Sequence, residues 1–212
     1  MGSDPSAGAD RGRSREALLA SATRLFAAKG PGAVSAREVA REAGVNYALI
    51  HRHFRSKDGL IESVLLSLAA DLGDDLALPR HDDRAGALLE NHHDLWRILG
   101  YLCLENQEWV NEHVGDHAGF TALRDVVAAA EPDDELVSIR AGIGVATIMG
   151  WVILRPFIDK LAQLGGIDEA KVQRELTDAV QRVLLPRGST LDLDTVDLTR
   201  SSDSDRAGPD RR

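Results

Sequence analysis

The chain has 212 residues, 43% of them hydrophobic and 28% charged, enough apolar material for a sizeable core and too much for a disordered polyelectrolyte. Its single cysteine, Cys103, excludes an intramolecular disulfide, and the N-terminal stretch lacks the apolar run of a secretory signal, so a cytoplasmic protein is expected. The net charge of −9 argues against a polyanionic partner only until its distribution is read: residues 11–58 hold ten Lys or Arg against four Asp or Glu, a surplus of +6, and the remaining residues sum to −15. A basic N-terminal module on an acidic body suits a protein that offers one end to a polyanion. Aromatic residues make up only 4%, Ala, Leu and Arg are plentiful and strand signals are scarce, which predicts an all-α fold.

In chain order, residues 1–12 carry Gly, Ser, Asp and Pro without periodic apolar positions and read as a flexible basic arm ending at Arg11, with Arg13 and Arg15 just beyond. Such an arm either lies in a minor groove or stays solvated. A helix is expected from near Ser14, with Leu18, Ala22, Leu25 and Phe26 on one face, ended by Gly30-Pro31-Gly32.

Residues 35–54 then read as two short helices around a glycine turn. Ser35 and Glu38 stand at the spacing of a capping box, in which each side chain satisfies a backbone N–H at the helix start. Val39, Ala40 and Ala43 share a face, and Gly44 supplies the backbone freedom that a sharp turn needs. Asn46 is the expected cap of the second helix, Val45, Ile50 and Phe54 should anchor it, and Tyr47, Ala48, Leu49, His51 and Arg52 should face outward. This is the pattern of a helix-turn-helix, whose second helix can enter the major groove of DNA. The candidate DNA contacts are Ser35, Arg37, Asn46, Tyr47, Ala48, Leu49, His51, Arg52, His53 and Lys57. Arg37 has the fork to take a guanine edge, Leu49 can offer only apolar contact to a thymine methyl, and Lys57 opens the next helix, where its charge and the free backbone N–H groups attract phosphate.

The segments LFAAKG, SAREVAREAGV and HF followed by SKDGL together resemble the DNA-binding domain of TetR-type (tetracycline-repressor-type) transcriptional regulators, over about residues 13 to 72. This chain departs from the family pattern at His51, where tyrosine is usual, and at Asn46 and Leu49, where small hydroxylated residues are common. The resemblance implies a transcriptional regulator, most often a repressor, with a helical body that dimerises and binds a small effector.

The domain reading is an arm at 1–12, a DNA-binding domain at 13–58, a connecting helix at 57–78, a helical body at 79–187 and a disordered tail at 188–212. The connecting helix carries Ile61, Val64, Leu65, Leu68 and Leu72 and cannot pass Pro79. The next helix uses Leu88, His92, Leu95, Trp96, Leu99 and Cys103 and ends near Gln107. From Trp109 a short helix or turn leads to a helix bearing Leu123, Val126 and Val127. A long apolar helix starts near Asp134, kinks or pauses at Pro156 and resumes to Leu164, where Gly165-Gly166 stops it. Asp168 caps the last helix, with its stripe of Val172, Leu176, Ala179, Val180, Val183 and Leu184. The longest uncharged run, Ala141 to Leu154, is short of the about 18 residues that a membrane span needs, and no membrane partner is expected.

Within the body, His92, Trp96, Trp109, Met149 and Trp151 are candidates to line an apolar effector cavity, set against ordinary core packing. Gly142, Ala146 and Gly150 repeat every four residues and, with Val172, Leu176, Val180 and Val183, are the candidate homodimer interface, which would require a near-palindromic operator. His113 and His117 have helical metal-ligand spacing, but Gly115 between them weakens the helix, so no metal site and no cofactor is expected. No glycine-rich phosphate loop, G-x-S-x-G, C-x-x-C or H-E-x-x-H motif is present, so the chain is not expected to be an enzyme. Two other readings stand beside the regulator: a DNA-binding adaptor whose body is a protein-interaction module, and a small helical enzyme.

Overall fold

Helix is the only regular structure among the described residues, as the composition predicts. The computed structural model describes residues 5–77, 91–114 and 118–184. The expected tail, Pro79, Leu88, Asp116 and His117 lie outside them.

Helix α1 spans Pro5–Lys29, so residues 5–12 are helical where an arm was expected, and the helix opens nine residues before Ser14. Proline suits the first turn of a helix, where its missing N–H would have had no partner, and Ala7, Ala9 and Arg11 are good helix formers. Leu18, Ala22 and Phe26 are fully buried, as their spacing predicts. The helix closes at Gly30, whose φ of +83° lets its N–H donate to the Phe26 carbonyl.

Helices α2 (Ala36–Glu42) and α3 (Ala48–Phe54) pack on α1 and on each other. Between them the Gly44 N–H donates to Arg41 O and the Val45 N–H to Ala40 O, the paired closure of a Schellman turn, which requires the φ of +66° at Gly44. Helix α4 (Lys57–Ala77) buries Leu60, Ile61, Val64, Leu65, Ala69, Leu72 and Leu76, and Leu68 is half-buried beside them. It packs on α1 and α3 at its start and, along its length, against the body.

The body consists of α5 (His93–Glu105), α6 (Gln107–His113), α7 (Ala118–Ala128), α8 (Asp134–Leu161) and α9 (Glu169–Leu184). Helix α5 stops two residues short of Gln107, because Asn106 leaves the helix and caps α6, accepting from the Trp109 N–H. Asp133 caps α8, accepting from the N–H groups of Glu135 and Leu136. The helix runs unbroken through Pro156 but ends at Leu161, because Gln163 takes a left-handed φ of +54° and a single 3-10 turn, Leu164–Gly166, follows. A proline removes one ladder bond, and the packing of α8 on α5, α7 and α9 outweighs that loss. The length and apolar composition of α8 would suit a membrane span. Two arginines inside it instead clamp other parts of the body. Arg140 Nε lies 3.3 Å from Glu131, and its Nη1 donates to the Val183 carbonyl of α9. Arg155 grips the Glu169 carboxylate with both Nη groups at 2.9 and 2.7 Å, meets Asp159, and lies 4.6 Å from the centre of the Trp151 ring. The pairing with Arg155 holds the Glu169 carboxyl below its usual range.

The constraint that sets α3 on α4 is Gly59. A Cβ there would strike the Phe54 carbonyl oxygen, which is backbone and cannot move aside. Gly59→Ala is expected to cost about 1 to 3 kcal/mol by overpacking, while Gly12→Ala, on a helix face with nothing within 4 Å, is expected to stabilise by about 0.5 to 1 kcal/mol. Urea unfolding of the two variants beside the wild type reads both signs.

Candidate nucleic-acid interface

The motif is assembled from its caps outward. Ser35 Oγ accepts from the Glu38 N–H at 3.1 Å and opens α2. The expected capping box is only half made, because the Glu38 carboxylate turns to Lys29 Nζ at 2.7 Å, tying α2 to the end of α1 and lowering its own pKa. Asn46 Oδ1 accepts from the Ala48 N–H at 2.8 Å, so it does the capping, although Tyr47, with helical φ and ψ, is the residue that formally precedes α3.

On α3, Ile50 and Phe54 are buried, and Tyr47, Ala48, His51 and Arg52 are exposed. Leu49, expected to face outward, is half-buried against the core, which reduces the apolar surface it can offer to a thymine methyl. His53 is half-buried with its Nε2 enclosed and unbonded; burial first, then Arg52, Arg15 and Arg11, push its pKa down. Arg37 is exposed on α2, with its guanidinium 5.6 Å from the centre of the Tyr47 ring, so Arg37 and Tyr47 present one surface. Lys57 begins α4 half-buried, and Ser56 Oγ caps that helix by accepting from the Gly59 N–H at 3.0 Å.

Two features escaped the sequence reading. Arg15 lies 5.5 Å from the centre of the Phe54 ring, bringing the start of α1 to the end of α3. At Arg55 the chain makes a tight reversal, with φ +67° and ψ −45°, and the Ser56 N–H donates to the Phe54 carbonyl across it at 2.8 Å. This is a γ-turn of the rare, strained hand. His51 braces it twice: its carbonyl accepts from the Arg55 N–H at 3.1 Å, and its Nδ1 lies 2.9 Å from the Arg55 carbonyl. No sequence signal marks Arg55, whereas the four-residue spacing of Tyr47 and His51 was visible.

The structure does not bring the candidate cavity residues together as one set of free aromatic walls. Trp96 is fully buried on α5, and His92, 5% exposed, meets Asp75 of α4 at 3.2 Å. Trp109 stacks on His113 at 4.4 Å, and Trp151 carries Arg155, so both half-buried rings already have partners. Met149 reaches towards Gly100 of α5. Of the candidate dimer residues, Gly142 and Ala146 are exposed and Gly150 has nothing within 4 Å of a notional Cβ. Val172, Leu176 and Val180 are buried within the chain and Val183 is half-buried, because the apolar stripe of α9 is used against the chain's own α8. No group of three or more metal-ligating side chains occurs among the described residues.

A short capped helix held outward by a tight glycine-bearing turn, with arginines beside it, defines a helix-turn-helix DNA-binding protein. The sequence profile of bacterial regulatory proteins of the tetR family matches residues 18–64, the stretch that holds α2 and α3. It is 28% identical over 171 residues to an HTH-type transcriptional repressor of Mycobacterium tuberculosis, covering 80% of this chain and 88% of the relative. Over 61 residues it is 43% identical to the HTH-type regulator BetI of Rhizobium meliloti, covering 29% of this chain and 30% of that one. Its fold is similar to crystal structures of transcriptional regulators from Streptomyces coelicolor (TM-score 0.57, 22% identity, 82% of this chain and 99% of the other) and from a Rhodococcus (TM-score 0.57, 21% identity, 80% and 95%). The chain is thus a transcriptional regulator rather than an enzyme.

On an operator selected from genomic fragments, Arg37→Ala is expected to cost about 1 to 3 kcal/mol and relax specificity at one base position. Lys57→Ala is expected to weaken all sequences alike and flatten the salt dependence. Unchanged affinity of both variants across a salt titration would show that the reading face lies elsewhere.

Proposed function

We propose that the chain is a homodimeric repressor that leaves a near-palindromic operator when a small, largely apolar effector enters its helical body. The name of the Mycobacterium tuberculosis relative supports the repressing direction. Cytoplasmic residence follows from action on DNA. The boundaries read from sequence, with a DNA-binding part at 13–58 and a body at 79–187, are kept as part of this reading, extended at the start by the helical residues from Pro5.

The observation that carries the dimer is the outer face of α8. Ile139, Ile143, Ala146, Gly150, Leu154, Phe157 and Leu161 follow one another at steps of three and four, so they form one continuous stripe along the helix. The large residues among them are 48% to 70% exposed, a row of apolar side chains that an isolated chain leaves in water. A second copy laying the same stripe against it satisfies both, and the small residues Gly142, Ala146 and Gly150 let the two helices approach closely. The two-fold pair then presents two reading heads to one face of DNA.

For the effector response, two links join head and body. One is α4, continuous from Lys57 beside α3 to Asp75, where it meets His92 and Asn91 of the body. The other is the loop after α1. Glu105 of α5 accepts from the Gly32 N–H at 2.9 Å, and a Cβ at either Gly30 or Gly32 would crowd the same carboxylate. Arg97 Nε donates to the Ala27 carbonyl at 2.8 Å, while its Nη2 reaches the Tyr101 hydroxyl at 3.0 Å. A ligand that shifts α5 therefore pulls the head at two points. The coupling equals the ligand's preference for the shifted state, typically about 1 to 3 kcal/mol, or roughly 5- to 150-fold in operator affinity.

Two experiments test this reading. Ile143→Glu together with Phe157→Glu is expected to give monomers in sedimentation with the thermal melt of the head retained, and to lose most operator affinity; dimers that persist would remove the α8 interface. Arg97→Ala is expected to keep operator binding but to lose at least half of the response to an effector found by screening, read as coupling free energy. A full response in that variant would place the coupling on α4 alone.

A further inference from the structure

We infer that operator binding by this chain takes up a proton at His51, and that the doubly protonated ring turns the Tyr47 hydroxyl from a hydrogen-bond acceptor into a donor for a DNA phosphate. The inference rests on α3 being the reading helix.

The hydrogen-bond pattern fixes the tautomer. His51 Nδ1 lies 2.9 Å from the Arg55 carbonyl oxygen, which can only accept, so Nδ1 carries hydrogen. In the neutral ring Nε2 is then a lone pair, and the Tyr47 hydroxyl, 3.0 Å away, donates to it. The phenol has one hydrogen, and His51 holds it. Toward solvent Tyr47 offers only lone pairs, the wrong chemistry for a phosphate oxygen, which also only accepts. A second proton on the ring reverses this: Nε2–H donates to the Tyr47 oxygen, and the phenolic hydrogen turns outward. The bond to the Arg55 carbonyl is the same in both states, so the switch requires neither a ring flip nor a change in the strained turn at Arg55.

The surroundings decide when the proton arrives. Arg37 of α2 lies over the Tyr47 ring, and Arg52 and Arg55 neighbour His51 in sequence. Lys57 and Asp58 open α4 against the end of α3, and Arg15 of α1 lies over Phe54. The second proton adds a positive charge to this predominantly cationic set. Phosphates arriving along the helix reverse the local field and favour it. A histidine is suited to this role because an imidazole changes charge between about pH 5 and 8; the tyrosine usual at this position in the family has no such transition there.

The linkage sign follows. The proton is bound more tightly in the complex, so affinity should rise as pH falls through the imidazole range, by at most about tenfold per pH unit for each head. The test is fluorescence anisotropy of a duplex recovered by selection from the native genome, at constant ionic strength from about pH 5.5 to 8.5. Titration calorimetry in two buffers of different ionisation enthalpy counts the protons. The expected result is a pH slope in the wild type that disappears in His51→Gln and in Tyr47→Phe and persists in His53→Gln, with Tyr47→Phe and His53→Gln melting as the wild type does and His51→Gln, which loses the bond to the Arg55 carbonyl, melting lower but folded at the assay temperature. A flat wild-type profile, a slope that survives His51→Gln, or one that disappears in His53→Gln instead overturns the inference. If no genomic fragment binds better than random duplex at any pH, the regulatory reading fails and the proton linkage fails with it.

Discussion

Gly59 sits where no other residue fits, and the placement of the reading helix depends on it. The Phe54 carbonyl lies against its α-carbon, so α4 can begin under the end of α3 with only Arg55 and Ser56 between them. So short a connection forces the strained turn at Arg55, and the strain is held by the two hydrogen bonds that His51 makes to that residue. His51, one of the candidate DNA contacts, is therefore also part of the joint that fixes the helix. Precision of this kind is what a reading helix requires, since a misplaced donor loses its base-edge partner.

Head and body are joined by a continuous helix and by a clasp, and the two differ physically. Helix α4 is one continuous element held by a buried apolar face. The clasp works through polar groups: the Glu105 carboxylate on a backbone N–H, and the Arg97 guanidinium on a carbonyl at the end of α1. Hydrogen bonds of charged groups to backbone are directional and fail over small displacements, so the clasp is the more sensitive of the two to a shift of α5. Buried His92 against Asp75 places a further polar joint at the far end of α4, so the connecting helix is gripped near both ends.

Charge and apolar surface are partitioned along the same axis. The head carries the positive surplus, and the acidic body leaves one apolar stripe on α8 uncovered. Arg140 and Arg155 lie off that stripe and close salt bridges within the chain. This division explains how α8 can have the composition of a membrane span and still be a packing helix: its inner face is used by α5, α7 and α9, and its two arginines pair with Glu131, Asp159 and Glu169.

The sequence alone determined what depends on neighbours a few residues apart. The capped α2, the Gly44 turn, the buried positions of α3 and α4 and the start of α8 at Asp134 all follow from local spacing, because caps and helical faces are set within one or two turns. The basic head was legible for the same reason, as charge distribution needs no coordinates. Local signals failed where a distant group or a non-local choice intervened. Glu38 left its capping box for Lys29, nine residues away, and the stripe of α9, equally suited to a partner chain, was taken by α8. The bond between Gly32 and Glu105 spans 73 positions, a separation at which periodicity carries no information. Amphipathicity says that a face must be covered but never by what. That decision belongs to the tertiary structure, because burial is non-directional and only the assembled geometry selects which of several apolar surfaces meet.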